Sequence, residues 1–482
     1  MRLVLVRSIV AALAAILIPL PAGAQEAPPQ TGFEQSNGAS FTTHEQELAF
    51  LAEVDAASER VTMSVIGTTA EGRPLHLVQI GSPSPHGLEA ALTEPTALFV
   101  CSQHGNEPAG REACLKAIRD LAFTTDPTLL QLLSEQTFLF VPAANPDGRA
   151  RNSRGNSRGT DINRDHVGLE TEEGRSIAGV IRDWQPDFVM DLHEYGPSQP
   201  VVYDDDILYL WPRNLNVDRG IHDLGVSFAL DHLKPCVEGA GYTADEYGLQ
   251  AVGDVDVAQT AGDEDEGIMR NAMGLRHAVG ILVETAVSMS TNPQQLPNEI
   301  GSTAATNRRR VASHRTVIDC TLQFLTDRGE EVRAASAFSA LAKTAEGAGL
   351  NAPIYLAGAD NDPPADDDIL YPPPCRYELA AGDAAAVADV LNLHGIRSTT
   401  TDDGEMIVPA GQRSEPMIAL LLDARGRRSI AAGTVVDGLP LSPACSPPAD
   451  PDPSPSPSPT STAIVIGAVA LTTVARLRRR SD

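Results

Sequence analysis

The sequence predicts an α/β fold: a mixed, mostly parallel sheet with helices on both faces, followed by a small C-terminal domain. Three observations predict it. Four short apolar runs, Thr96–Cys101, Phe138–Pro142, Phe188–Leu192 and Val279–Val283, read as strands buried on both sides. Helical patterns alternate with them, and such alternation requires crossover connections and parallel pairing. Finally, His104, Asn145, His193 and Glu284 sit at the carboxyl ends of those runs, where open α/β sheets bind ligands.

The elements follow in order. An irregular stretch to about Phe41 precedes a helix over Glu45–Val54. Val61–Thr68 and Leu75–Ile80 read as strands joined by a turn at Glu71-Gly72. The buried strand at 96–101 leads into the His104 loop and a helix over Gly110–Ala122. The next runs into the turn Asn145-Pro146-Asp147-Gly148. Thr171–Trp184 is helical, opening on Thr171-Glu172-Glu173-Gly174 with Pro186 beyond its end. Val311–Leu325 forms a closing helix, with Val311, Val317, Ile318, Leu322 and Leu325 on one face. The main domain is therefore drawn over 25–328. A second, smaller domain is drawn over 333–443, with a helix at Asp383–Leu393 and strands at Met406–Pro409 and Met417–Leu422.

The ends have their own character. Arg2 and Arg7, the apolar run Ile9–Leu20 and the small residues Ala22-Gly23-Ala24 have the three parts of a secretory signal over 1–24. Near the other end, 446–461 is a Pro/Ser-rich linker too polar and stiff to fold. An apolar stretch at 462–475 and a basic tail at 476–482 come after it, the order of a membrane anchor and its cytoplasmic stop. That stretch is shorter than the ~20 residues that usually span a membrane, so an interfacial or processed tail is the alternative. The expectation is an exported protein held at the cell surface with its catalytic part outside.

A net charge of −28 argues against a nucleic-acid partner. The acidic runs Asp263–Glu266 and Asp366–Asp368 lack calcium-loop spacing and read as solvated loops. Six cysteines, 101, 114, 236, 320, 375 and 445, allow 15 pairings in an oxidising compartment. None has the CxxC spacing of a zinc–thiolate site, and Cys101 and Cys114 also read as small buried hydrophobes. No GxSxG elbow is present, which removes the commonest serine-hydrolase signature.

The chemistry lies in an ordered series. His104-Gly105-Asn106-Glu107-Pro108 is followed by Asn145-Pro146-Asp147-Gly148, then Gly159-Thr160-Asp161-Ile162-Asn163-Arg164-Asp165. Asp191-Leu192-His193-Glu194-Tyr195 and Gly280-Ile281-Leu282-Val283-Glu284-Thr285 complete it. Two histidines and a glutamate can hold one zinc while leaving a position open for water. Over Glu45–Leu325 the series resembles the zinc carboxypeptidases of the M14 family.

That resemblance implies roles. His104, Glu107 and His193 would hold one zinc ion per chain, and Glu284 would be the catalytic general base. Asp161 would orient the first zinc histidine. Asn163 and Arg164 would receive the substrate's terminal carboxylate, with Tyr195 beside them. Arg154 would stabilise the oxyanion, although Arg149, Arg151 and Arg158 crowd the same loop. His166 either lines the site or packs structurally, and His222, His232 and His277 are structural. Tyr242 and Tyr247 are the nearest matches to the family's substrate-capping tyrosine, which should lie closer to Glu284. At Met269–Ala272, where a specificity pocket is expected, Met269 suits an apolar terminal side chain and Arg270 an acidic one. The implied activity is removal of C-terminal residues from peptides bearing a free carboxylate. Two alternatives stand beside it: an amidohydrolase for peptidoglycan stem peptides or N-acyl amino acids, and a non-catalytic surface binding protein.

Overall fold

In the computed structural model, residues 27–196, 203, 205–252, 255–258, 263–287 and 303–447 are described. The signal at 1–24, most of the linker at 446–461, the anchor at 462–475 and the tail at 476–482 lie outside them. Among the described residues no helix is long and apolar enough to cross a membrane.

Eight strands form the main sheet: β1 Val61–Thr68, β2 Pro74–Ile80, β3 Thr96–Cys101, β4 Thr137–Val141, β5 Phe188–Tyr195, β6 Ile207–Leu210, β7 Ala244–Glu246 and β8 Val279–Ala286. Their spatial order is β1-β2-β4-β3-β5-β8-β6-β7. The centre, β4-β3-β5-β8, is parallel throughout. β1 and β2 form an antiparallel hairpin on one side, and β6 runs antiparallel to β8 on the other.

Period-two alternation separates the two faces. Phe99, Phe140, Phe188, Met190, Ile281 and Val283 point into one core, while Leu98, Val100, Leu139, Val141 and Val189 point into the other. Helices α1 His44–Ala57 and α2 Ala109–Ala122 cover the first face. Helices α3 Glu172–Trp184 and α4 Met269–Leu275 cover the second. Thr43 and Gln46 close a capping box on α1, and Thr171 caps α3 by accepting from the Gly174 amide. The same parity puts Asp191, His193 and Glu284 together on the second face, at the carboxyl ends of their strands.

Two expectations change. Helix α5 runs over Thr303–Gly349, straight through the boundary drawn between 328 and 333. Beyond Leu325 its sequence loses a continuous apolar stripe but keeps good helix formers, so periodicity alone ended the helix early. Its length, about 70 Å at the standard rise, carries it from the main sheet into the C-terminal unit. There Gly347 passes so close to the Ala410 carbonyl that a Cβ would lie 2.4 Å from it.

The C-terminal unit contains the antiparallel strands β9 Arg376–Leu379, β10 Thr399–Thr400, β11 Met406–Pro409 and β12 Thr434–Val436, ordered β10-β11-β9-β12. It also holds helix α6 Ala381–Leu393. The run read as a strand at Met417–Leu422 is instead helix α7, Glu415–Leu422, with Pro416 in its first turn. A continuous apolar run does not distinguish a buried helix from a buried strand. Its residues are buried throughout, which accounts for the missing alternation.

All six cysteines pair, as Cys101–Cys114, Cys236–Cys320 and Cys375–Cys445. The first pair was open to being two separate buried thiols. It instead ties β3 to α2 beside the His104 loop.

Candidate metal centre

The His104 loop leaves β3 through Ser102, whose φ of +58° turns the chain sharply. Gly105 then passes against the Asn145 turn so closely that a Cβ would lie 2.0 Å from the Gly148 carbonyl carbon. Only glycine fits there. Asn145 fastens the two loops, donating to the carbonyls of Gln103 at 2.9 Å and Arg154 at 3.2 Å. It also caps the short helix Pro146–Arg151, so the predicted turn is the first turn of a helix.

These constraints bring together residues that are distant in sequence. His104 Nδ1 lies 2.9 Å from one oxygen of Glu107, and His193 Nδ1 lies 3.0 Å from the other. The two Nδ1 atoms are 3.0 Å apart. All three ligand groups lie within 4.8 Å of one another and are buried. The donor set fits a metal: two ring nitrogens facing each other across a carboxylate need a proton or a cation between them. Burial opposes ionisation of Glu107, yet hydrogen bonds with His104 and His193 hold its carboxyl well below the usual range. Burial likewise opposes a charged His193, but Asp191 and Glu107 more than offset it and hold the imidazole's proton tightly. The field that retains that proton favours a cation in the same place.

Each histidine is held from behind. Asp161 lies 3.1 Å from His104 Nε2 and Asp191 lies 2.8 Å from His193 Nε2. Asp161 was expected in this position, whereas Asp191 was missed as a partner. The signal was available, because residues two apart on a strand share a face. Asp191 is held in turn by Gln103 at 2.7 Å, and Gln103 by His166 at 2.6 Å. His166 therefore belongs to the scaffold behind the cluster, with burial pushing its pKa down to about 4.

Glu284 stands opposite His193 in the parallel β5–β8 register. Its carboxyl is buried and one oxygen has no hydrogen-bond partner. Burial first, and the neighbouring Glu107 charge second, push its pKa up to about 8.

Of the four loop arginines, Arg151 pairs with Glu71, Arg158 pairs with Glu172, and Arg149 reaches Asn152 and lies over the Phe41 ring. Arg154 faces the cluster, 2.9 Å from Asp161 and 3.6 Å from Glu107. Asn163 is buried behind His193. Its Nδ2 lies 3.0 Å from Asp191 and 2.9 Å from His193 Nε2, while its Oδ1 accepts from the Met269 amide at 2.8 Å. Both ends of that side chain are thus engaged by protein groups. Arg164 is partly exposed, with Asp265 3.6 Å away. Tyr195 donates to the Asp205 carbonyl and packs edge-on against Tyr203. Tyr247 packs on Tyr203 and lies within electrostatic reach of Glu284 and Arg154; burial, then Glu284, raise its pKa to about 12. Tyr242 is turned elsewhere, under the Arg309 guanidinium.

The acidic run at 263–266 is not the solvated loop expected from its charge. Asp263 pairs with Arg213 and Arg270, Glu264 with Arg427, and Asp265 with Arg428 at 2.7 Å. Arg428 also donates to the Arg164 carbonyl at 2.7 Å. Gly267 leaves room for it, since a Cβ there would lie 2.6 Å from the guanidinium carbon. The C-terminal unit thus reaches the rim of the cluster, a contact no local motif announces. Met269 and Arg270 are both buried, and Asp263 holds Arg270 at 3.2 Å. The second acidic run, Asp366–Asp368, does lie at the surface.

Residues 47–179 match the family model described as zinc carboxypeptidase. Over that segment the chain is similar to the zinc carboxypeptidase family. The segment carries His104, Glu107, Arg154, Asp161, Asn163 and Arg164 and stops before His193 and Glu284, which the sheet brings to it. The chain is 33% identical over 214 residues to Carboxypeptidase 2 of Trichophyton tonsurans, covering 43% of this chain and 38% of that protein. It is 33% identical over 129 residues to Carboxypeptidase E of Caenorhabditis elegans, covering 23% of this chain and 26% of that one. The chain thus spans well under half the length of these relatives. Among solved structures it is similar to a metallo-carboxypeptidase from Burkholderia cenocepacia, at 17% identity and a TM-score of 0.44 over 58% of this chain and 70% of that one.

Proposed function

We propose that this protein is a zinc-dependent carboxypeptidase that hydrolyses the last peptide bond of substrates ending in a free carboxylate. One observation carries the reading: the carboxyl of Glu284, one oxygen of which has no hydrogen-bond partner, is buried in register beside His193 of the His104–Glu107–His193 cluster. Buried carboxylates without a partner are costly and rare, and a catalytic base accounts for this one. A zinc ion held by His104, Glu107 and His193 would polarise a carbonyl oxygen and acidify a water.

The protein's own groups complete the scheme. Asp161 and Asp191 fix the two rings with their inner nitrogens toward the ion. Glu284 accepts the proton of the attacking water and returns it to the leaving amine. A cation in the cluster favours its ionised form, offsetting the burial that raises its pKa. Arg154 faces the developing oxyanion, and Arg164, whose partly exposed guanidinium donates to the Asn163 carbonyl at 2.7 Å, receives the terminal carboxylate. Asn163 supports His193 and the backbone at Met269. Tyr247 is the better candidate for the capping tyrosine. The three disulfides support an exported protein.

The test is hydrolysis of peptides with free and blocked C-termini, alongside muropeptides and N-acyl amino acids. Glu284→Gln is expected to lower turnover about 10²–10⁴-fold while bound zinc, measured by atomic emission, stays at one per chain. Unchanged turnover overturns the mechanism. Cleavage of the blocked peptides or muropeptides in preference to free peptides moves the substrate to the amidohydrolase alternative. No turnover on any arm, with zinc bound, favours a binding protein.

A further inference from the structure

At the opposite ends of β5 and β8, where these strands begin, lies a cavity of about 270 Å³ between the main sheet and the C-terminal unit. It is lined by Arg182, Gln185, Arg276 and His277 from one side and by His394 and Arg413 from the other. A smaller adjoining hollow of about 180 Å³ shares Gln185, Arg276, His277 and Arg413 and adds Arg333 and Asp187. Three arginines therefore line each hollow, Arg276 and Arg413 being common to both, in a chain whose net charge is −28.

Their partners make the cluster unusual. Most arginines of this protein meet a carboxylate, but among the described residues Arg276 and Arg413 form no ion pair, and Arg413 feels only the more distant charge of Asp187. Arg276 donates to His394 Nδ1 at 2.5 Å and to the Leu393 carbonyl at 3.4 Å, and its buried Nε has no partner. Arg413 donates only to the Gln185 side-chain oxygen. Both imidazoles are committed as neutral rings. His394 Nε2 lies 2.8 Å from the Val167 carbonyl, and His277 bridges Ser339 at 2.8 Å and the Arg413 carbonyl at 3.0 Å. Burial and the nearby arginines hold both pKa values down, His277 to about 3.

The nearby carboxylates have other hydrogen-bond partners, although Asp187 lies within electrostatic reach of Arg413 and Arg333. Asp183 holds Arg182 at 2.7 Å near the surface. Asp187 accepts from the Thr96 amide at 3.0 Å, and burial raises its pKa to about 6. Lys343 adds a further positive charge near His277. Partly buried guanidinium groups beside one another repel, and a doubly charged oxyanion would relieve that cost through paired N–H donors.

We propose that this cavity binds a small multivalent oxyanion, of the phosphate, sulfate or polycarboxylate kind, between Arg276 and Arg413, joining the two parts of the protein. Anion binding here is independent of the hydrolytic reading. The test uses the full chain, titrated calorimetrically with inorganic phosphate, sulfate and citrate at ionic strength held constant with sodium chloride. One saturable site per chain is expected, with a melting temperature that rises with ligand concentration. Arg413→Gln should weaken binding at least tenfold, and Arg276→Gln should do the same if it folds. Arg219→Gln, at an exposed arginine paired with Asp223 away from both sites, should leave the affinity unchanged. Stronger binding of phosphate and sulfate than of citrate assigns a tetrahedral anion, and the reverse assigns a carboxylate. Absence of saturable binding, or equal affinity in wild type and Arg413→Gln, overturns the proposal.

Discussion

The two ends of one sheet treat charge in opposite ways. At the carboxyl ends of β5 and β8, the ionisable groups of the cluster answer one another: Glu107 faces two histidines, and each histidine has an aspartate behind it. The acid Glu284 has one buried oxygen without a hydrogen-bond partner there. At the amino ends the groups without an ion pair among the described residues are basic, Arg276 with an unpartnered Nε and Arg413 bonded to the neutral Gln185, beside rings kept neutral by burial. Compensated charge pre-organises a metal centre, whereas uncompensated charge marks a place where a counter-ion would lower the energy. A second comparison shows why a shifted pKa alone does not identify a base. Glu415, in the C-terminal unit, is also buried, also has an unpartnered oxygen, and is also raised to about 8. No cluster of metal-binding side chains stands beside it among the described residues.

The predictions run from the largest effect to the smallest. His193→Ala should abolish both stoichiometric zinc and hydrolysis, with circular dichroism confirming the fold. Full zinc retention would break the contrast between the two ends. Asp191→Asn should weaken zinc binding about 10–100-fold, because the supporting carboxylate no longer fixes the ring. In the same competition assay with a chelator, Arg413→Gln should leave zinc affinity unchanged.

Glu415→Gln should act on stability and not on catalysis. The folded state keeps the Glu415 proton up to about pH 8, while the unfolded chain releases it near 4.5. The native state thus binds more protons between those values, and wild-type stability falls as pH rises through that window. The variant should lack this fall, raising its melting temperature relative to wild type at pH 8 more than at pH 5. A pH-independent difference would refute the assignment. Arg428→Gln should have the smallest effect. Loosening Asp265 and the Arg164 carbonyl should raise KM for free-carboxylate peptides a few-fold with kcat nearly unchanged, as read from steady-state kinetics.

Much of this was legible without coordinates. The four central strands, the helices that cover them and the ordered series from His104 to Glu284 could be read from short apolar runs and residue spacing. Local patterns sufficed because a strand buried on both faces is apolar throughout, and a sheet collects its functional residues at strand ends. The misread stretches share one cause. Met417–Leu422 and the acidic run at 263–266 were judged by composition, but their conformation and burial depend on partners far away in sequence.

The sequence by itself determined the donor types, their order and the parallel sheet that could gather them, since these follow from side-chain chemistry and from periods of two and 3.6 residues. Tertiary structure alone decided that Asp191 backs His193, that Glu284 stands in register beside it, and that Arg428 reaches the rim from the C-terminal unit. It also decided which cysteines pair and that Arg276 and Arg413 form no ion pair among the described residues. Each of these is a distance between chain segments separated by tens to hundreds of residues, or, for Asp191, a matter of which strand face meets which core. Such distances are set by packing and not by local propensity.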